Sequence, residues 1–321
     1  MKMKVLLLEV MDSAILELMT SCLPKEFELI AVKTKDEEER MAKVVDADFI
    51  MVAPTAVNRQ LIEKGKKLKL IQKLGAGLNN IDLEAATIKG VPVANAGGTN
   101  AIAVAEHTIT LILALYKKLF TVNASLLQGK WSKWDFRSET YEIYRKTVGI
   151  IGLGNIGREV AQRLRCFEAD ILYYDITRLS PETEAELGYR FVAFDELLRT
   201  ADIVTLHSNL TDETYHMIGE NELNIMKESA IIINAARGAL IHEQALYKAL
   251  KEKRIAAAGL DAFEKEPPDP DNPLLYLDNV LVTPHTGGGG FDTLKRIYEL
   301  AFENMQRVLR GEEPLYQYKG A

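Results

Sequence analysis

The sequence predicts an α/β protein built on two parallel sheets of unequal size. Three observations carry this expectation. Short apolar runs alternate with polar segments of helical spacing up to about Ala94. A second alternating series begins near Thr147. Within it a glycine-rich turn, Gly152–Gly157, joins an apolar run to a segment of helical period.

In the first series Lys4–Leu8, Phe27–Val32, Asp48–Ala53, Lys69–Leu74 and Val91–Ala94 read as strands. Lys4–Leu8 is apolar without strong alternation, as a strand buried on both faces requires. Ser13–Thr20, Glu37–Val45 and Asn58–Gly65 have helical spacing. Asn100–Leu119 is a helix candidate too apolar for an ordinary surface helix, which places it between domains or subunits. Gln128–Arg145, with Trp131, Trp134, Tyr141 and Tyr144, reads as an irregular arm or as a loop packed on its own domain. The second series has strands at Thr147–Ile151, Asp170–Tyr174, Arg190–Val192, Ile203–Leu206, Ala230–Ile233, Ala256–Leu260 and Val280–Val282. Gly287–Gly290 is a flexible break. Asp292–Leu309 then places Leu294, Ile297, Leu300, Ala301, Met305 and Val308 on one helical face. A return of that helix to the first sheet makes the first domain discontinuous. The expected domains are residues 1–99 with 290–321, and residues 100–289.

Composition excludes several classes. Of 321 residues, 47% are hydrophobic and 26% charged, enough apolar surface to offset chain entropy, so disorder is not the dominant state. With 39 basic and 46 acidic residues the formal net charge is −7, which argues against general binding to nucleic acid or to anionic membranes. Cys22 and Cys166 are far apart and have no metal-ligand spacing; a disulfide scaffold is excluded by count, and a reduced, cytoplasmic setting is the simpler reading. Glu9 interrupts the first apolar run well short of a signal-peptide core. The apolar stretch Thr108–Tyr116 is far below the about 20 residues a bilayer needs.

The strongest motif is GLGNIG, Gly152–Gly157. Alone, G-x-G-x-x-G is weak. Here it follows Val148–Ile151 and opens a helix with Ile156, Val160, Leu164 and Phe167 on one face. Gly152 permits the tight turn, Gly154 the approach of a pyrophosphate, and Gly157 close helix–strand packing. The helix N-terminus offers free N–H groups to phosphate. Asp175 ends the next strand, where a carboxylate accepts from ribose hydroxyls and repels a 2′-phosphate, favouring NAD over NADP. Arg178 works against that preference, because it offers a cation for a 2′-phosphate.

Three more segments follow strands, where ligands bind in open α/β sheets. They bring Arg237, then Asp261 and Glu266, then His285. An Arg, a carboxylate and a His beside a nicotinamide suit the reduction of a 2-oxo acid. Arg offers a planar fork for a carboxylate. His can give or take the hydroxyl proton, and a carboxylate on its far nitrogen orients it and raises its pKa. Each residue also has a plain structural reading, as a surface charge, a solvated turn or a turn histidine. His207, His216 and His285 have no standard zinc spacing, so no metal is expected.

These motifs resemble those of the D-isomer-specific 2-hydroxyacid dehydrogenases over nearly the whole chain. The resemblance rests on Leu74–Asp82, Val104–Thr108, Lys146–Gly157, Val204–Thr214, Asn234–Gly238, Asp261–Pro267 and Thr283–Gly288, in that order. It implies a flavodoxin-like substrate domain, discontinuous in sequence, and a Rossmann-type doubly wound parallel sheet for the cofactor, with a cleft between. It implies that Arg237, Glu266 and His285 are catalytic. It implies that Asp261 holds the nicotinamide amide, that Asn155 and Ile156 approach the pyrophosphate, and that His207, Ala235, Ala236 and Gly288 lie beside NAD. The backbone at Ala76 and Gly77 would face the substrate carboxylate. A homodimer through the cofactor domain is implied as well.

The chain departs from the family pattern at Asn209, where Pro is usual, at Asn79, where Asp is common, and in the glycines before Phe291. These bear on substrate and closure rather than on reaction class. The expected activity is hydride transfer between NAD(H) and C2 of a small 2-oxo acid or D-2-hydroxy acid. The alternatives are an NAD(H)-sensing, corepressor-like binding protein with little turnover and a phosphite-type dehydrogenase. Nothing in the sequence selects which 2-oxo acid.

Overall fold

The computed structural model describes residues 2–319. The chain forms two compact units, one from the segment up to Thr99 plus that from Gly290 onward, the other from Asn100–Gly289. The first unit holds β1 (Met3–Leu7), β2 (Phe27–Ala31), β3 (Phe49–Val52), β4 (Leu70–Lys73) and β5 (Val93–Ala94), all parallel, in the order β2-β1-β3-β4-β5. That is the flavodoxin-like order. Its central strands are apolar on both faces because helices cover both. On one face the helix Phe291–Leu309 sets Ile297, Ala301, Phe302 and Met305 against Val5, Leu7, Phe27 and Phe49. A buried polar pair joins the two segments: Asn304 Nδ2 donates to Gln72 Oε1 at 2.9 Å.

The second unit holds β6 (Thr147–Ile151), β7 (Asp170–Tyr174), β8 (Tyr189–Phe191), β9 (Ile203–Leu206), β10 (Ile231–Asn234), β11 (Ala257–Leu260) and β12 (Val280–Val282), again parallel. Their order, β12-β11-β10-β9-β6-β7-β8, is that of a doubly wound sheet with its reversal between β6 and β9.

Two expectations are corrected, and one left open is divided between its two readings. The apolar helix runs from Ala101 to Tyr116, and Lys118 breaks it with a φ of 47°. A second helix, Leu119–Leu127, follows. The apolar character of Ala101–Tyr116 has its cause inside the second unit: Ala105, Ile109 and Ile112 share a core with Val148 and Ile150. Glu37–Val45 is a helix only to Lys43 and tightens into a 3₁₀ turn, Val44–Asp46. The segment from Gln128 to Lys146 has neither helix nor strand. Its end packs on its own unit, Tyr141 N donating to Tyr116 O at 2.9 Å. Its start is tied to the preceding helix, Lys130 N donating to Ser125 O at 3.0 Å, yet Trp131 is 78% exposed, and Leu127 four residues before it is 80% exposed. Among the described residues no single helix is long and apolar enough to cross a membrane.

Candidate active site

The carboxyl edge of the seven-stranded sheet gathers the candidate residues of the larger unit. After β6 the chain turns at Gly152, whose φ is +92°. A Cβ there would lie 2.7 Å from the backbone of His207 and Ser208. At Gly157 a Cβ would lie 2.1 Å from Gly152 O. Both contacts are to backbone, which cannot swing aside, so sterics demand glycine at both places. At Gly154 a Cβ would meet nothing within 4 Å, so here the open space lies on the ligand side. The helix Asn155–Arg165 starts without a side-chain cap, leaving the first N–H groups of Asn155, Ile156 and Gly157 for an anion.

Asp175 follows β7 and is half-buried. Its Oδ2 accepts from Leu153 N at 2.6 Å and its Oδ1 from Thr177 N at 2.9 Å. A carboxylate has about four lone-pair sites. Two remain, and the two bonds made fix the group beside the glycine turn. His207 follows β9. Its Nε2 is 2.9 Å from Thr205 Oγ1, while its Nδ1 is buried with no partner among the described residues. Burial holds this imidazole down at about 3, so it is neutral. The orphaned nitrogen, the uncapped helix and the open face at Gly154 together fit a dinucleotide. Ala235 and Ala236 are buried at the end of β10, Ala236 N donating to Asn234 Oδ1 at 3.1 Å.

Three successive strands, β10, β11 and β12, carry Arg237, Glu266 and His285 in their following loops. Arg237 is exposed and spends one donor on Ala236 O at 2.7 Å. Among the described residues the rest of its fork has no partner. Its backbone is pinned by Asn234 Nδ2, which donates to Arg237 O at 2.8 Å. His285 Nδ1 lies 2.8 Å from Glu266 Oε2 and 2.9 Å from Oε1. Glu266 is itself steadied by Phe263 N at 3.1 Å. The pair is about 40% exposed, 45% and 38% for the two side chains, so Nε2 can meet a ligand. His285 adopts a left-handed φ of 53°, costly for a residue with a Cβ by about 1–3 kcal/mol.

Asp261 supplies the restraint. It is 1% exposed, and its Oδ1 accepts from Thr283 Oγ1 at 2.5 Å and Thr286 N at 2.9 Å, its Oδ2 from Gly287 N at 2.8 Å. Thr283 has one hydroxyl proton and gives it to Asp261, so His107 Nε2, 3.0 Å from Thr283 Oγ1, is the donor. Burial pushes this carboxyl up, but the bonds from His107, Thr283, Gly287 and Thr286 outweigh it and hold Asp261 down at about 2. The His107–Thr283–Asp261 chain was not anticipated as a unit, although the three motifs that carry it stand out in the sequence. Gly288 completes the turn, where a Cβ would lie 2.8 Å from Asn100 Nδ2. Asn209 is exposed, and its loop is held by Thr214 Oγ1 donating to Asn209 O at 2.7 Å.

In the smaller unit Ala76 and Gly77 lie exposed on the loop after β4. That loop is tied down by groups the sequence reading passed over. Lys73 Nζ donates to Asn80 Oδ1 at 2.6 Å and to Ala53 O, and Asn80 Nδ2 donates to Thr55 O at 2.6 Å. The buried Glu9 accepts from Ala53 N at 2.7 Å. Among the described residues no cluster of three or more His, Cys, Asp or Glu is placed to hold a metal.

A family model, "D-isomer specific 2-hydroxyacid dehydrogenase, NAD binding domain", matches residues 109–287. The D-3-phosphoglycerate dehydrogenase of Methanocaldococcus jannaschii is 46% identical over 278 residues, 86% of this chain and 52% of that protein. The glyoxylate reductase of Korarchaeum cryptofilum is 39% identical over 288 residues, covering 87% of this chain and 86% of that one. The chain thus spans about half the length of the phosphoglycerate dehydrogenases it matches and most of the glyoxylate reductase. The D-lactate dehydrogenase of Lactobacillus jensenii, solved with NAD+, superposes with a TM-score of 0.88 at 30% identity, over 99% of this chain and 100% of that one. With its motifs, two parallel sheets and these likenesses all in agreement, the chain belongs to the D-isomer specific 2-hydroxyacid dehydrogenase family.

Proposed function

We propose that this protein is an NAD-dependent oxidoreductase that interconverts a small 2-oxo acid and its D-2-hydroxy acid. The observation that carries the reading is the His285–Glu266 pair at 2.8 Å, on the same sheet edge as the glycine cradle and Arg237. When bound, the nicotinamide supplies or accepts the hydride at substrate C2. The free fork of Arg237 binds the substrate carboxylate and polarises the C2 carbonyl. Glu266 holds the proton on His285 Nδ1 and fixes the ring, so that Nε2 delivers its proton to the C2 oxygen in reduction and takes it back in oxidation. Asp261 keeps the strained His285 turn in place and retains one lone-pair site on Oδ2 for the nicotinamide amide. Asn155 and Ile156 receive the pyrophosphate, Asp175 the adenosine ribose, and Ala76 and Gly77 the substrate carboxylate.

The substrate belongs to the group that includes glyoxylate, hydroxypyruvate, pyruvate and 3-phosphoglycerate, in keeping with what the relatives are named for. Oxidation of NADH and of NADPH against a panel of the 2-oxo acids of this group tests the reading. Fast turnover of one acid with NADH supports it. Tight NADH binding with no turnover across the panel overturns it in favour of a sensor.

The protein works as a homodimer joined through the larger unit. The support is the exposed apolar surface of Leu119–Leu127, with Phe120 at 62% and Leu127 at 80%, continued by Trp131 and Trp134 at 78% and 63%. Large contiguous apolar patches are rare on monomers. Sedimentation at falling concentration reads this directly, and a monomer at every concentration sinks it. A cytoplasmic setting fits the two free cysteines.

A further inference from the structure

We infer that Glu184 sets the cofactor preference of this protein by occupying the one cation that would otherwise receive a 2′-phosphate. The inference rests on the reading that the adenosine ribose lies at Asp175. From Asp175 to Ser180 the loop has a single cation, Arg178. A basic residue there is the usual answer to a 2′-phosphate. In this protein its fork is already filled: Arg178 Nε donates to Glu184 Oε1 at 2.8 Å and Nη2 to Glu184 Oε2 at 2.9 Å. The guanidinium also rests over the Phe191 ring, 5.1 Å from its centre.

An exposed ion pair is weak by itself, and a phosphate could pull it apart. Here a third group holds the acceptor. Tyr173, fully buried in β7, donates its hydroxyl to Glu184 Oε1 at 2.7 Å, and that hydroxyl accepts from Leu179 N at 2.9 Å. Glu184 is therefore fixed from the core side. Its side chain is 12% exposed, against 56% for Arg178. The bonds from Arg178 and Tyr173 keep its carboxyl down at about 2, so the pair stays ionised at any working pH. The electrostatic result is a cation without net charge to offer. The guanidinium is thus neutralised by Glu184, Asp175 adds a second carboxylate three residues before it in the same loop, and a dianionic 2′-phosphate is disfavoured.

The test is the affinity of the whole chain for NADPH and for NADH, by quenching of protein fluorescence without substrate. In Glu184→Gln, NADPH should tighten by about tenfold, the worth of one charge-assisted contact. NADH, which has no 2′-phosphate, should move far less. Glu184→Asp keeps the charge but shortens the reach, and should give a smaller gain in the same direction. Adding Arg178→Met to Glu184→Gln should erase the gain. If NADH binds the wild type well and neither Glu184 variant tightens NADPH, the inference is wrong while the dinucleotide reading stands. If the wild type binds neither nucleotide, the dinucleotide reading itself fails and takes the inference with it.

Discussion

The two ends of the seven-stranded sheet's carboxyl edge are built on different principles. At the β6–β7 end the cradle is made of backbone, and glycine is required because Cβ atoms would strike carbonyls and peptide planes. At the β10–β12 end the site is made of side chains, and its geometry rests on bonds between residues far apart in the chain. Arg237 leans on Asn234 nearby, but the His285 turn is held by Asp261, itself reached by His107 through Thr283. A backbone cradle shows in local sequence through its glycines. A side-chain site depends on the whole sheet being in register.

The sharpest way to break this comparison is at His285. His285→Ala should lower turnover by about 10²–10⁴-fold while NADH still binds the β6–β7 end. Near-normal turnover would remove the chemistry from that end altogether. At the other end, Gly157→Ala drives a Cβ into Gly152 O and should cost about 1–3 kcal/mol in denaturant unfolding, with weaker NADH binding. Unchanged stability would mean the cradle yields more easily than its contacts suggest.

Acid separates the ends by a different route. His207 has its pKa depressed from 6.5 to about 3 by burial, so the stability it contributes is complete above about 6.5 and is lost as pH falls towards 3. For Asp261, depressed from 3.8 to about 2, the contribution is complete above about 3.8 and is lost through 2. Unfolding followed from neutral pH downward should weaken in two stages, the first from His207. A flat profile between pH 6.5 and 4 would contradict the neutral, buried imidazole. The smallest effect is expected of Thr283→Val, which uncouples His107 from Asp261. We expect kcat to fall about tenfold through misplacement of the His285 turn, with KM for the acid little changed. A rise in KM alone would give Thr283 a binding role instead.

The same contrast decides what could be read in advance. The glycine cradle, Asp175 and the strand positions follow from local pattern, and each strand of the larger unit lies within a residue of its expected bounds. Arg237, Glu266 and His285 could be picked out from their places after strands. The Asp261–Thr283–His107 chain behind the His285 turn could not, because nothing near Thr283 in sequence points to His107. Nor could Arg178 be judged alone: its meaning changes once Glu184 and Tyr173 are beside it. The helix Leu119–Leu127 escaped notice because the apolar run continues through the break at Lys118.

The smaller sheet is completed by a helix that arrives late. During synthesis on the ribosome, β1–β5 emerge first, and the entire larger unit follows before Phe291–Leu309 is made. Through that interval the core around Phe27, Phe49 and Leu7 lacks Ile297, Ala301, Phe302 and Met305, and Gln72 has no Asn304 to accept from. The larger unit, whose sheet strands come from one unbroken stretch, can fold at once. Vectorial synthesis therefore imposes an order on this protein: the nucleotide-binding half matures first, and the half that was begun first is finished last.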